Sequence, residues 1–169
     1  MAAPTDQRCA LRLNFPTTAS RTEVLIKHTG VSWYELCVDG ARCAEGPTRF
    51  VHDTPYFDVT RATLNGAGAH TVAVHAHSAG VQTRILLTTA PAVAVEVMAV
   101  DAASAPISAP TWRCTSLAAF YKPQWRRLSS LLGWCEHCTV ESELLAWREV
   151  GLDDSKWSGP VPGGDGLQQ

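Results

Sequence analysis

Few residues in this chain have types and spacings suited to chemistry. Cys135-Glu136-His137-Cys138 contains a Cys-x-x-Cys pair, Asp153-Asp154 sets two carboxylates side by side, and His75 and His77 lie two apart, on one face of any strand that carries them. A structural zinc ion needs four ligands, commonly two Cys pairs or a Cys pair with a His pair. The chain has no second Cys-x-x-Cys, and Cys114 is the only other thiol nearby in sequence, so zinc would have to borrow His75 and His77 across the fold. A redox Cys-x-x-Cys belongs at the start of a helix in an alternating α/β pattern, which is missing here. The residues therefore favour a packing role for Cys135 and Cys138 and imply no cofactor, with zinc as the weaker alternative. Binding a hydroxylated ring takes an aromatic face and a few orienting polar groups. Trp33, Tyr56, Trp112, His75 and His77 could supply them, although core packing is the stronger reading for any one of these, because small β domains bury their aromatics.

The elements that must hold these residues are strands. Residues 22–28 alternate around Val24 and Ile26. Residues 32–38 carry Tyr34, Leu36 and Val38 on one face and Trp33, Glu35 and Cys37 on the other. Asp39-Gly40 is a strong two-residue hairpin turn, and the chain returns through residues 41–45. Residues 70–77 turn Val72, Val74 and Ala76 inward, with His75 and His77 on the opposite face; residues 81–89 and 92–100 are further β-rich runs. Turn signals separate them at Thr29-Gly30, Gly46-Pro47, Asn65 to Gly68, Ser78 to Gly80 and Ala90-Pro91. Short strands at nearly regular spacing, without a long helical period, predict an all-β antiparallel sandwich of jelly-roll type over residues 1–110. The Ala/Ser/Pro-rich stretch at 102–110 reads as a loop. Residues 111–158 hold five of the six tryptophans and form an irregular extension, in which 139–150 fits a short amphipathic helix through Leu144, Leu145 and Trp147, or nearly as well a strand and loop. A flexible tail is expected at 159–169.

Composition narrows the classes of function. The 169 residues are 46% hydrophobic and 18% charged, as in a soluble globular domain, and a net charge of −2 with no basic cluster beyond Arg126-Arg127 gives no footprint for nucleic acid. The apolar run at 90–100 is too short to span a bilayer and contains Glu96, so no membrane partner is expected. The N-terminus has neither a basic n-region nor an apolar h-region, so the expected compartment is the cytoplasm. Six cysteines could suggest a disulfide framework, but a plain hairpin pairs Leu36 with Cys43 and Cys37 with Arg42, putting Cys37 and Cys43 on opposite faces. Buried free thiols are the expectation.

Three segments carry a family resemblance. Trp33-Tyr34-Glu35-Leu36-Cys37-Val38-Asp39-Gly40, continuing through Glu45-Gly46-Pro47-Thr48-Arg49, resembles a hairpin of the galactose-binding-like domains that precede glycosidase catalytic domains. Tyr56-Phe57-Asp58-Val59-Thr60, then Leu64-Asn65-Gly66 and residues 71–77, is similar to a second stretch of the same domains. Leu132-Gly133-Trp134, Trp147 and Gly151-Leu152-Asp153-Asp154-Ser155-Lys156-Trp157 look like the N-terminal region of bacterial-type α-L-rhamnosidases. Over residues 10–158 the resemblance implies a non-catalytic, carbohydrate-binding-like accessory sandwich. Its partner would be a rhamnose- or galactose-containing glycan or an adjoining catalytic domain, an α/α barrel that would lie beyond residue 169. The chain departs from the family at 137–141.

Hydrolysis of a glycoside uses two carboxylates about 5 to 9.5 Å apart across the scissile bond. Adjacent Asp153 and Asp154 do not read as such a pair. They read as a turn or helix start accepting backbone N–H groups, with Trp157 packing below. Asp58 could meet an ion or a sugar hydroxyl, but a turn-organising role is favoured. Asn65 to Gly68 lacks the Lys-Ser/Thr of a phosphate loop. The expectation is a chain without its own active site; a purely structural or protein-interaction sandwich that binds no sugar is the main alternative.

Overall fold

A computed structural model describes residues 6–47, 56–84, 92–100 and 111–160. Among the described residues eight strands follow in order: β1 (Gln7–Thr17), β2 (Arg21–Gly30), β3 (Trp33–Val38), β4 (Ala41–Gly46), β5 (Asp58–Asn65), β6 (Gly68–Ser78), β7 (Val93–Ala99) and β8 (Arg113–Ser116). They form a five-stranded sheet in the order β4-β3-β6-β1-β8 and a three-stranded sheet in the order β5-β2-β7. Every pairing is antiparallel. The chain is an all-β sandwich.

Period-two alternation builds the core between the sheets. Leu13 and Phe15 from β1, Val24 and Ile26 from β2, Tyr34, Leu36 and Val38 from β3, Leu64, Val72, Val74 and Val97 all point inward and are buried. One polar group sits among them. His28 contacts the Tyr34 hydroxyl through Nδ1 at 2.8 Å and Thr60 Oγ1 through Nε2 at 2.9 Å, so both ring nitrogens are satisfied in the interior. Burial lowers its pKa, against the opposing charge of Asp58.

The Asp39-Gly40 turn forms as expected, with φ of 47° and 81° at the two residues. Asp39 also ties the hairpin to β6: its carboxylate accepts the Thr71 N–H at 2.8 Å and meets His70 Nδ1 at 2.7 Å. Gly40→Ala places a Cβ in left-handed backbone, and a loss of about 1–2 kcal/mol is expected, read as a lower urea midpoint at unchanged slope.

The structure corrects several expectations. Strands β1, β5 and β8 were not foreseen, and β8 joins the large sheet from beyond residue 110. Asp58 opens strand β5 and is not in a turn. Residues 81–84 are not a strand, and the rest of the 81–89 run lies outside the described residues, as do the loop at 102–110 and residues 161–169. Helix α1 (Ser142–Ala146) is only five residues long; Leu144 and Trp147 are buried, whereas Leu145 is exposed. The hairpin register shifts between Leu36 and Cys37, so Leu36 faces Ala44 and Cys43 is the extra residue of a bulge. Two residues then oppose Cys37, and plain alternation no longer separates the two thiols. All six cysteines are free, but only Cys37 is fully buried. No helix among the described residues is long and apolar enough to cross a membrane.

Candidate functional site

The outer face of the large sheet gathers most of the polar and aromatic side chains singled out above. Register sets the rows. His77 lies between Arg8 of β1 and Trp33 of β3, His75 between Ala10 and Glu35, and Ala73 between Arg12 and Cys37. An antiparallel sheet with one solvated face would leave these rows wet. Here residues 117–157 return over them. Ala10, Cys37, Ala73, Leu117 and Trp147 form a second buried cluster, with Phe120, Tyr121 and Trp157 packed against it. Strand β6, at the centre of the large sheet, is therefore covered on both faces, and the whole run from His70 to His75 is buried.

Arg12 anchors this covering. Its side chain is fully buried, and Nε donates to Asp154 Oδ2 at 3.1 Å. Nη1 donates to the carbonyl oxygens of Trp147 at 2.6 Å and Glu149 at 2.9 Å. Asn14 also donates to Asp154 Oδ2, at 2.7 Å, and Arg113 Nε lies 3.8 Å from Oδ1. A buried guanidinium needs a countercharge and acceptors, and here each of its three nitrogens has at least one, Nη2 donating to Asn14 Oδ1 at 3.2 Å. Asp153 plays the local part expected of it: its carboxylate accepts the Ser155 N–H at 3.0 Å, and its pKa is lowered first by the Ser155 hydroxyl and then by that backbone bond. Each carboxylate of the pair is thus committed to a structural partner, and Trp157 lies beneath Arg12, 5.9 Å from ring centroid to guanidinium.

His75 sits in an aromatic box. Trp33 meets it edge-on at 5.5 Å, Tyr121 stacks at 6.1 Å and Trp147 is tilted at 5.7 Å. Its Nε2 is buried without a hydrogen-bond partner. Burial, with Arg8 and His77 beside it, pushes its pKa down to about 4. His77 Nε2 meets Asp6 Oδ1 at 2.9 Å; its pKa is also lowered, first by burial and then by Arg8. Arg8 lies over the Tyr121 ring at 4.0 Å and pairs with Glu136 at 3.2 Å.

The structure thus brings Trp33, His75 and His77 together and leaves the other two predicted ligand residues apart. Tyr56 is 52% exposed at the entrance to β5, next to the equally open Phe57 under Lys27. Trp112 packs against the inner core. Tyr56 is the most open of the five, and Trp33 and Trp112 are half-buried. None of the five lines the groove of about 330 Å³ at the opposite end of β1, whose walls include Phe15, Thr17, Thr18, Thr22, Glu23 and Ala99. Cys135 and Cys138 lie in the covering segment: the Cys135 N–H donates to Arg126 O, and Cys138 bridges to Tyr121 through the backbone. His137 turns its ring toward Trp125 at 4.9 Å. Among the described residues no group of three or more His, Cys, Asp or Glu is arranged to hold a metal. Sequence reasoning missed Arg8 and Arg12, although their alternation with Cys9, Leu11 and Leu13 is a legible strand signal.

No family model matches the sequence, and no curated protein matches it. Solved structures do. A GH78 family rhamnosidase of Bacillus sp. GL1 superposes with a TM-score of 0.75 at 21% identity, covering 98% of this chain and 18% of that one. The fold is shared with part of a rhamnosidase. An α-L-rhamnosidase from Dictyoglomus thermophilum matches at 14% identity and a TM-score of 0.67, covering 95% of this chain and 18% of that one. A lectin from Pleurotus ostreatus, solved in complex with GalNAc, matches at 9% identity and a TM-score of 0.58, over 96% of this chain and 40% of that one. The motif resemblance is thus matched by a resemblance in fold, and the chain spans about a fifth of the length of the rhamnosidases it resembles.

Proposed function

We propose that this chain is a non-catalytic, carbohydrate-binding-like accessory unit of an α-L-rhamnosidase-like glycoside hydrolase. The observation that carries this reading is that the likeness to the Bacillus rhamnosidase extends over 98% of the chain, covering segment included, yet accounts for only 18% of that enzyme. The fold shared with a GalNAc-binding lectin supports the sugar-binding part. The commitment of Asp153 and Asp154 to structural partners supports the non-catalytic part. Three places suit a hydroxylated ring: the half-buried Trp33, the exposed Tyr56 apart from it, and the threonine-lined groove rimmed by Glu23, which pairs with Arg61 at 3.2 Å. Incubation with an aryl α-L-rhamnoside is expected to release no phenol above the buffer rate, and turnover by this chain alone would show that it carries an active site.

One observation favours a second reading, in which the unit mainly packs against an adjoining domain. Arg127 donates to the carbonyl oxygens of Gln82, Ser130 and Leu132 and so pins its loop, yet that loop presents Leu128, Leu131 and Leu132 at 52–68% exposure. A well-held loop with outward leucines suits a contact surface. Leu131→Ser is expected to leave the melting temperature within about 2 °C, as for an exposed side chain outside the core. A larger drop would mean that Leu131 serves this domain's own packing.

A further inference from the structure

We propose that residues 117–157 are latched to the large sheet by a neutral His75, and that acid releases this segment while the sandwich stays folded. The geometry is that of an interface built around one imidazole. His75 projects from the middle of β6 into the box of Trp33, Tyr121 and Trp147, two of which belong to the covering segment. Its Nε2 has no partner, so a second proton there has nothing to donate to.

The two charges that act on it, Arg8 and His77, also oppose a cation. From β1, Arg8 faces it; from β6, His77; from β3, Glu35 is its register neighbour, but the Glu35 carboxylate is engaged by the Cys37 thiol at 3.7 Å. From the covering segment Tyr121 stacks on it, with Glu136 and Cys138 acting on Tyr121 itself. The carboxylates of Asp6 and Glu136 are paired elsewhere, Asp6 with His77 and Glu136 with Arg8. A protonated His75 would thus add a positive charge beside Arg8 in a dry box with no anion of its own. Lifting the segment solvates it.

The direction in pH follows from the lowered pKa. An imidazole at about 4 in the docked state and 6.5 when free stabilises docking fully above pH 6.5. The docking equilibrium constant falls about tenfold per pH unit as pH drops toward 4, and below it the contribution is gone. Strands β2, β5 and β7 form the other sheet, and the core between the two sheets, in which His28 is satisfied at both nitrogens, does not include His75.

Hydrogen exchange of the full chain, corrected for the intrinsic pH dependence of the amide rate, tests the latch. Between pH 6.5 and pH 4.5 protection in residues 117–157 is expected to fall by up to about 100-fold, while β2 and β5 stay protected. His75→Phe, which keeps an aromatic ring in the box, should hold the segment protected across that range. His75→Gln, a second uncharged replacement, should do the same if the phenyl ring does not fit. The proposal is overturned if protection of the segment is unchanged down to pH 4.5, if segment and sandwich strands open together, or if both variants open with the wild-type midpoint.

Discussion

Asp154→Ala is expected to destabilise the protein by about 3–5 kcal/mol, because it strips the countercharge from a fully buried arginine and leaves the arginine in place. For a chain of this length that corresponds to a fall of about 10 °C or more in melting temperature. Arg12 would keep the carbonyl oxygens of Trp147 and Glu149, but neutral acceptors do not replace a carboxylate next to a desolvated guanidinium. Asn14 would lose a partner too. Asp154→Asn keeps an acceptor oxygen and should cost less. The double variant Arg12→Met/Asp154→Leu should recover part of the loss, since the expensive state is the unpaired charge and not the missing pair. Thermal melts of the four proteins decide this, and equal stability of wild type and Asp154→Ala would mean that the covering segment is not held through Arg12.

Gly46→Ala should be nearly as damaging, for a steric reason. Gly46 is paired directly with Tyr34 across the hairpin, and a Cβ on it would collide with Cε1 and Cζ of the Tyr34 ring. The Tyr34 ring cannot step aside: it is fully buried in the core and its hydroxyl is bonded to His28. Overpacking against so fixed a ring is expected to cost about 3 kcal/mol or more. In a Tyr34→Ala background the same methyl has room, so Gly46→Ala should then add little. A denaturant series showing additive losses for the two changes would contradict the clash.

These two cases mark what can be read from the residues and what cannot. The Asp39-Gly40 turn and the alternation of β3 are local patterns, and both appear where they were expected. Gly46 reads locally as turn punctuation before Pro47, whereas its use is to make room for a ring twelve residues earlier, across a strand pair. The outer face of β6 reads as a polar, solvated face because His75 and His77 alternate with Val72, Val74 and Ala76. What buries it arrives much later in the chain: Arg12 and Asp154 are 142 residues apart. Such a pairing has no local signal, and the motif containing Asp153-Asp154 shows only its nearby half, the Asp153 turn. The plain-hairpin argument about Cys37 and Cys43 failed on a bulge, which shifts register by one residue without any glycine to announce it. Of the predicted ligand residues, Trp33, His75 and His77 share a face because period two is reliable. That the same face is occupied by Trp147 and Tyr121 is a tertiary fact.

The most direct test of the accessory-domain reading is calorimetric titration of the intact protein with L-rhamnose, galactose and N-acetylgalactosamine at neutral pH, where the covering segment is docked. Saturable binding of at least one sugar is expected, weakened at least tenfold by Trp33→Ala or Tyr56→Ala if the aromatics carry it, or by Glu23→Ala if the groove does. Heats no greater than dilution with all three sugars, from protein that melts cooperatively, would contradict sugar binding and leave the unit as a packing domain.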